Sequence, residues 1–234
     1  MSVQLVWNLS AKEGFRTSRN DKKEHSMKGA FISFEGIEGT GKSTHAKLLC
    51  EYLREKGFDA VLTEEPGGTP IGLGIREILL SVEHKGMTPV VELLLYNASR
   101  AQHIREVIMP AIDRGSVVIT DRFTDSTIAY QGYGRGIDLN LIDSIDMIAT
   151  GRLRPDITML LDLDVEAGLK RNRGINKTDR LELEDVAFHQ RVRTGYHAIA
   201  AKEPGRIQCI DASQGIEKIR SQIANIITDF LKQQ

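Results

Sequence analysis

Residues Gly36 to Ser43 read Gly-Ile-Glu-Gly-Thr-Gly-Lys-Ser, between the apolar run Ala30-Phe31-Ile32-Ser33-Phe34 and the segment Thr44-His45-Ala46-Lys47-Leu48-Leu49-Cys50. This spacing confines the chain to strand, tight loop and helix in that order. Glycines let consecutive backbone N–H groups curl around a polyphosphate, and the helix starting near Lys42 adds its positive dipole end. The stretch Gly36, Glu38, Gly39, Thr40, Gly41, Lys42, Ser43 and Thr44 is therefore the candidate cradle for a nucleoside triphosphate. Lys42 is placed to reach the β- and γ-phosphates and Ser43 to ligate Mg²⁺.

The 234 residues suit one decorated α/β domain better than two independent ones. Lysine plus arginine number 31 against 32 acidic residues, a balance that provides no field for a nucleic-acid backbone or an anionic membrane. Anionic substrates must then be met by local arginines. No apolar stretch approaches the roughly 18 residues of a membrane span, so a soluble, cytoplasmic protein is expected. Cys50 and Cys209 lack metal-type spacing and read as buried thiols of a reducing compartment. Residues 1–26 turn polar after Val3 to Trp7 and fit neither a secretory signal nor a transit peptide. They read as a poorly ordered extension, or as sequence upstream of a working start at Met27.

From Met27 onward, short β-branched runs alternate with longer segments of helical period, as in a parallel sheet covered by helices. Strands are expected at Ala30 to Glu35, Asp59 to Thr63, Val117 to Asp121, Ile157 to Leu163 and Ile207 to Asp211. Helices are expected at Ser43 to Lys56, Gly72 to Leu80, Val90 to Arg114, Leu139 to Thr150, Val165 to Arg173, Glu184 to Ala201 and Ile216 to Leu231. The fold class is thus α/β, a five-stranded parallel sheet of the P-loop NTPase type. The arginine-rich stretch around 170–182 suits a short mobile lid, since arginines must arrive from above once nucleotides are bound. Within it, Asn176-Lys177-Thr178-Asp179 matches the guanine-reading tetrapeptide of GTPases. It follows a polar stretch instead of an apolar strand, and no switch element accompanies it, so the match reads as accidental.

Several residues have chemistry of their own. Arg122 follows the strand-terminal Asp121, so the carboxylate can sit near Mg²⁺ while the guanidinium bridges donor and acceptor phosphates. A structural ion pair is the plainer alternative. Tyr96 and Arg100 are one helical turn apart and share a face, an arrangement suited to stacking on a pyrimidine and donating to its carbonyl. An aromatic there equally suits a core. Thr127, Tyr130 and Gln131 supply hydroxyl and amide groups shortly after Arg122, with helix capping as their alternative.

Four stretches together resemble bacterial thymidylate kinase: Phe34 to Thr44, Glu65-Pro66-Gly67-Gly68-Thr69, Leu95 to His103 and Asp121 to Gly132. The resemblance runs in order from about Met27 to the C-terminus. It implies a nucleoside monophosphate kinase that moves the γ-phosphoryl group of ATP, with Mg²⁺, to dTMP, and it implies a homodimer with a helical interface. By resemblance, Tyr96 stacks on the base, Pro66 forms its wall, Thr127, Tyr130 and Gln131 read thymine and exclude a 2′-hydroxyl, and Arg76 grips the acceptor phosphate. Glu38 resembles the carboxylate near the sugar 3′-hydroxyl, and Ala212 the loop beside adenine. The absence of an arginine after Glu38 points to the bacterial subtype, whose charge comes from the lid through Arg171, Arg173 or Arg180. Two departures stand out: Glu64 replaces the usual arginine, and Ser99 replaces an aspartate, leaving Arg100 without that orienting partner. Another nucleoside monophosphate kinase, or a GTP-binding switch, are the alternatives.

Overall fold

The computed structural model describes residues 29–173, the Arg173 side chain excepted, and 179–233. The extension expected at 1–26 and the middle of the expected lid, 174–178, lie outside the described residues. Five parallel strands form one sheet: β1 (Ala30–Glu35), β2 (Ala60–Glu64), β3 (Val117–Asp121), β4 (Ile157–Asp162) and β5 (Ile207–Asp211). Their spatial order is β2-β3-β1-β4-β5. Among the described residues, nine α-helices surround them: α1 (Lys42–Glu55), α2 (Pro70–Leu80), α3 (Pro89–His103), α4 (Met109–Asp113), α5 (Thr124–Thr127), α6 (Leu139–Thr150), α7 (Val165–Arg173), α8 (Val186–Lys202) and α9 (Ile216–Leu231).

β1 is buried along its whole length because it lies at the centre, between β3 and β4. Its alternate residues serve opposite faces. Ile32 and Phe34 pack with Leu49 of α1 and Ile219, Ile223 and Ile227 of α9, whereas Phe31 packs with Ile104, Ile108 and Phe123 on the other side. Each such fully buried side chain stabilises the fold by about 1.5–3 kcal/mol, which fixes the register of the central strand and so the position of the loop that follows it. Chain connections diverge on either side of β1, so the crevice at its carboxyl end is where a ligand is expected in an open α/β sheet.

The two edges differ from the centre. On β5, Ile207 and Ile210 are buried against different core clusters, while Cys209 is exposed. The expectation of two buried thiols is corrected there: an edge strand has a neighbour on one side only, so its side chains are covered less completely than those of the central strands. Cys50, on α1 against the core, is buried.

Two helices contain wide π turns. α3 runs through one at Ile104–Ile108 into α4, directly before Pro110, which has no N–H for the regular ladder. α5 continues as a second, Ile128–Gly134. This helix is missing from the sequence expectation. It begins with four polar residues and contains Gly132 and Gly134, so its apolar period is too short to read. The wide turn buries the consecutive Tyr130 and Gln131.

Candidate active site

The loop Gly36–Ser43 closes over the carboxyl end of β1 because its glycines permit what other residues would block. Gly36 has φ +139°, and a Cβ there would meet the Leu161 carbonyl oxygen at 2.3 Å; Gly39, at φ +75°, has the Gly168 carbonyl at 2.0 Å. Gly41, also left-handed, precedes α1 and turns Lys42 and Ser43 onto the first turn. Lys42 Nζ donates to the Ile37 carbonyl at 2.7 Å. Burial, with Arg122 nearby, pushes its ammonium down to about 8 although Asp121 and Glu38 oppose the shift. A polyphosphate in the loop supplies the negative charge this group lacks.

Ser43 Oγ donates to Asp121 Oδ2 at 2.5 Å, while Asp121 Oδ1 is buried without a hydrogen-bond partner. A carboxylate oxygen left bare beside a hydroxyl fits an oxygen-seeking cation such as Mg²⁺.

Next to it, Arg122 has a φ of +74°, a left-handed conformation rare outside glycine. Its N–H donates to the Phe34 carbonyl at 3.0 Å and the following Phe123 N–H donates to Glu35 Oε1 at 2.7 Å, so β1 holds the turn from both sides. The guanidinium donates to the Gly36 carbonyl, Ser126 Oγ, Tyr196 OH and Glu38 Oε1, each at 3.1 Å, and to Tyr130 OH at 3.2 Å. It lies over the Tyr130 ring, 4.9 Å from its centre. Burial pushes the Glu38 carboxyl up, yet His189, Arg122, Lys42 and Tyr130 together outweigh it and hold the group well below the usual carboxylate range. Tyr130 OH donates to Glu38 Oε1 at 2.7 Å. Its hydroxyl therefore stands with Glu38 and Arg122.

At the other end of the same cavity, of about 390 Å³, lie Pro66, Arg76, Tyr96, Arg100, Thr127 and Gln131, together with Lys42, Ser43, Asp121 and Arg122. Arg100 is fully buried and its donors are largely committed: Nε to Glu65 at 2.8 Å, Nη1 to Thr127 at 2.8 Å and Asp146 at 3.2 Å, and Nη2 to the Phe123 carbonyl at 3.0 Å. The missing aspartate at Ser99 therefore leaves no gap, since Glu65 and Asp146 orient the arginine instead. Ser99 Oγ accepts from the Gly67 N–H at 3.3 Å. Glu64, the other departure, stands 3.4 Å from Arg76, which also donates to the Pro66 carbonyl at 2.7 Å. Gln131 Nε2 donates to Glu92 Oε1 at 2.8 Å, so its carbonyl oxygen is the group left for a ligand.

The lid arginines separate. Arg171 donates to the Ala212 carbonyl at 2.9 Å, bringing a lid arginine onto the loop expected beside adenine. Arg173 closes α7, and its side chain lies outside the described residues. Arg180 is buried, 2.6 Å from Glu92, and donates to the Leu79 carbonyl at 3.1 Å, so its guanidinium is held by α3 and the end of α2 and does not line the cavity. Glu92 on α3 is itself wholly buried and needs cations, which Arg180 and Arg135 supply. Among the described lid residues, Asn172, Asp179, Leu181 and Glu182 line the cavity. Asp179 Oδ1 accepts from the Leu181 and Glu182 N–H groups, both at 2.9 Å, so it caps a turn instead of reading a guanine.

Comparison with known proteins decides the family. The thymidylate kinase family profile matches residues 34–223. The chain belongs to the thymidylate kinase family. The thymidylate kinase of Geotalea daltonii is 50% identical over 206 residues, covering 85% of this chain and 96% of the relative. That of Exiguobacterium sp. is 48% identical over 207 residues, covering 88% and 98%. The crystal structure of thymidylate kinase from Ehrlichia chaffeensis superposes with a TM-score of 0.69 at 36% identity, covering 85% of this chain and 98% of that one.

In this member of the family, residues to which the sequence assigned no role complete the site. Glu35, Ser126 and Tyr196 back Arg122, and Glu65 and Asp146 back Arg100. His189 is wholly buried with its Nδ1 3.4 Å from Glu38 Oε2, and neither atom makes a hydrogen bond. Glu35, Glu65 and Ser126 lie inside the stretches that carry the resemblance, whereas Asp146, His189 and Tyr196 lie outside them, and only the fold shows which way each faces.

Proposed function

We infer that this chain transfers the γ-phosphoryl group of ATP to dTMP, forming dTDP. The observation that carries the reading is that one cavity joins a phosphate end, Lys42, Arg122, Ser43 and Asp121, to a base end, Tyr96, Arg100, Gln131, Thr127 and Pro66. The acceptor phosphate is already an anionic nucleophile, so the site needs alignment and charge neutralisation more than a strong base. Lys42 meets the donor phosphates, and Arg122 meets charge accumulating between donor and acceptor. Ser43 and Asp121 would hold Mg²⁺, which would offset the charge of the phosphates. Arg76 turns toward the acceptor phosphate, with Arg171 and Ala212 at the adenine and Arg173 the lid arginine for the transferring group.

At the base, Arg100 offers a donor and Gln131 an acceptor, complementary to the adjacent O4 and N3–H of thymine. Tyr96 stacks on the ring and Glu38 faces the sugar. A homodimer is proposed as well, on the exposed Val90, Val91 and Leu94 of α3 and Leu141 and Ile148 of α6, two helices that pack together. A cytoplasmic location suits nucleotide substrates and free thiols; among the described residues, no helix is long and apolar enough to cross a membrane.

An acceptor panel with ATP or GTP as donor tests the reading. ADP formation should depend on dTMP, with dUMP accepted but disfavoured by a methyl-sized increment of about 1–3 kcal/mol. Efficient phosphorylation of AMP or GMP, or GTP turnover without an acceptor, would overturn it.

A further inference from the structure

We propose that Glu35 is a positioning residue for phosphoryl transfer, holding the Arg122 guanidinium in place through the hydroxyls of Ser126 and Tyr196. The proposal rests on the phosphotransferase reading above and adds a residue on the buried side of the arginine. Glu35 is the last residue of β1 and is fully buried. Its Oε1 accepts from the Phe123 N–H at 2.7 Å. Its Oε2 accepts from Ser126 Oγ at 2.6 Å and from Tyr196 OH at 2.9 Å. Those two hydroxyls in turn each accept from Arg122 Nη1 at 3.1 Å. Ser126 Oγ and Tyr196 OH also stand 2.8 Å from each other, within hydrogen-bond distance. With Glu35 ionised, the carboxylate only accepts, so a hydroxyl that turns its proton to it keeps its lone pairs for the guanidinium.

A proton on Glu35 reverses this arrangement. Oε1 faces a backbone donor, so the proton must reside on Oε2 and be donated to Ser126 or Tyr196. The hydroxyl that receives it turns its own proton elsewhere, toward the guanidinium or the other hydroxyl, and Arg122 loses an acceptor. The charged and titratable groups facing Glu35 are Arg122, Asp125 from α5, Tyr196 from α8, and, further away, Lys42 and Arg100. Asp125 is paired with Arg206 at 2.7 Å. Burial first, and Asp125 second, push the Glu35 carboxyl up to about 7, against the Ser126 bond and Arg122. The reversal thus falls near neutral pH.

The same carboxylate also fixes the backbone. The left-handed turn at Arg122 is held by Phe34 on one side and Glu35 on the other, so one strand end determines both the strained φ and the direction of the side chain.

Glu35→Gln is the test, because an amide keeps the shape but must donate to one of the hydroxyls. We expect kcat about 10- to 100-fold below wild type, short of the about 10²–10³-fold loss of removing an electrostatic donor outright, with KM for dTMP changed less than about threefold. The wild-type kcat profile should contain an acid limb near pH 7, above the phosphate ionisation near 6, and the variant should lack it. Tyr196→Phe removes one arm and leaves Glu35 ionisable, so it should lower kcat less and retain the limb; it serves also if Glu35→Gln does not fold. A readout independent of turnover is the solvent exchange of the Arg122 side-chain N–H protons by NMR. Relative to the intrinsic base-catalysed rate at each pH, exchange should quicken in Glu35→Gln and in the wild type below pH 7. Unchanged kcat and pH profile, or a loss confined to KM, in the variant would overturn the proposal, as would Arg122 exchange indifferent to Glu35 and pH. A wild type inactive on dTMP but with Arg122 exchange responding as stated would overturn the substrate reading and leave the relay standing.

Discussion

At the scale of single residues, the phosphate end of the site is a set of charges held against their own solvation. Lys42 is the clearest instance, buried and pushed below the usual lysine range. Its folded-state pKa of about 8 lies below the usual lysine value of 10.5, so the unfolded chain binds more protons between those two values, and stability should rise with pH across that window. Lys42→Ala should therefore be at least as stable as wild type at pH 7 while kcat falls by about 10²–10³-fold, the scale of a lost electrostatic donor. Thermal melts and steady-state rates check both halves, and a destabilised variant would contradict the sign. Arg100 should behave in the opposite way. It is the partner of two buried carboxylates, Glu65 and Asp146, and removing one side of a buried pair costs about 3–5 kcal/mol. Arg100→Ala should lose that stability in chemical denaturation in addition to its grip on dTMP. Neither consequence was legible from spacing alone: Tyr96 and Arg100 read as sharing a helix face, but the residues that orient Arg100 come from β2's following loop and from α6.

Among elements, Glu92 joins three parts of the chain. It sits on α3 and takes Gln131 and Arg135 from the second π-turn helix and its cap, and Arg180 from the base of the expected lid. Burial raises its carboxyl, but Arg135, Gln131 and Arg180 prevail and hold it below the usual range. Its contribution is therefore present above the ordinary carboxylate pKa and lost as pH falls through its depressed value. Glu92→Gln should cost about 3–5 kcal/mol at pH 7 and progressively less in acid, measured as denaturation midpoints over a pH series. A difference that stays constant with pH would assign the effect to packing. The helix that bears Gln131 was itself the main omission from the sequence reading, since propensity and period fail where a helix starts on polar residues and widens into a π turn. By contrast β1, β3, β5, α6, α7 and α9 match the expected ranges, because each has an unbroken apolar pattern of its own period.

For the whole molecule, the apolar side chains left exposed on α3 and α6 are the surface proposed for a homodimer. Leu94→Asp with Ile148→Asp should yield a monomer by light scattering, with the cavity residues untouched; a dimer unchanged by both would move the interface elsewhere. The sequence by itself determined the α/β class, the phosphate loop, the Asp121–Arg122 pair and the resemblance to a nucleotide kinase family, because each of these is written in residues close together in the chain. The tertiary structure alone decided the sheet order, the exposure of Cys209, the diversion of Arg180 to Glu92, and the carboxylates behind Arg100 and Arg122. Those outcomes depend on groups 27 to 161 residues apart in sequence meeting in a low-dielectric interior. There, a buried charge takes whichever partner the packing brings within reach, and no local pattern specifies that partner.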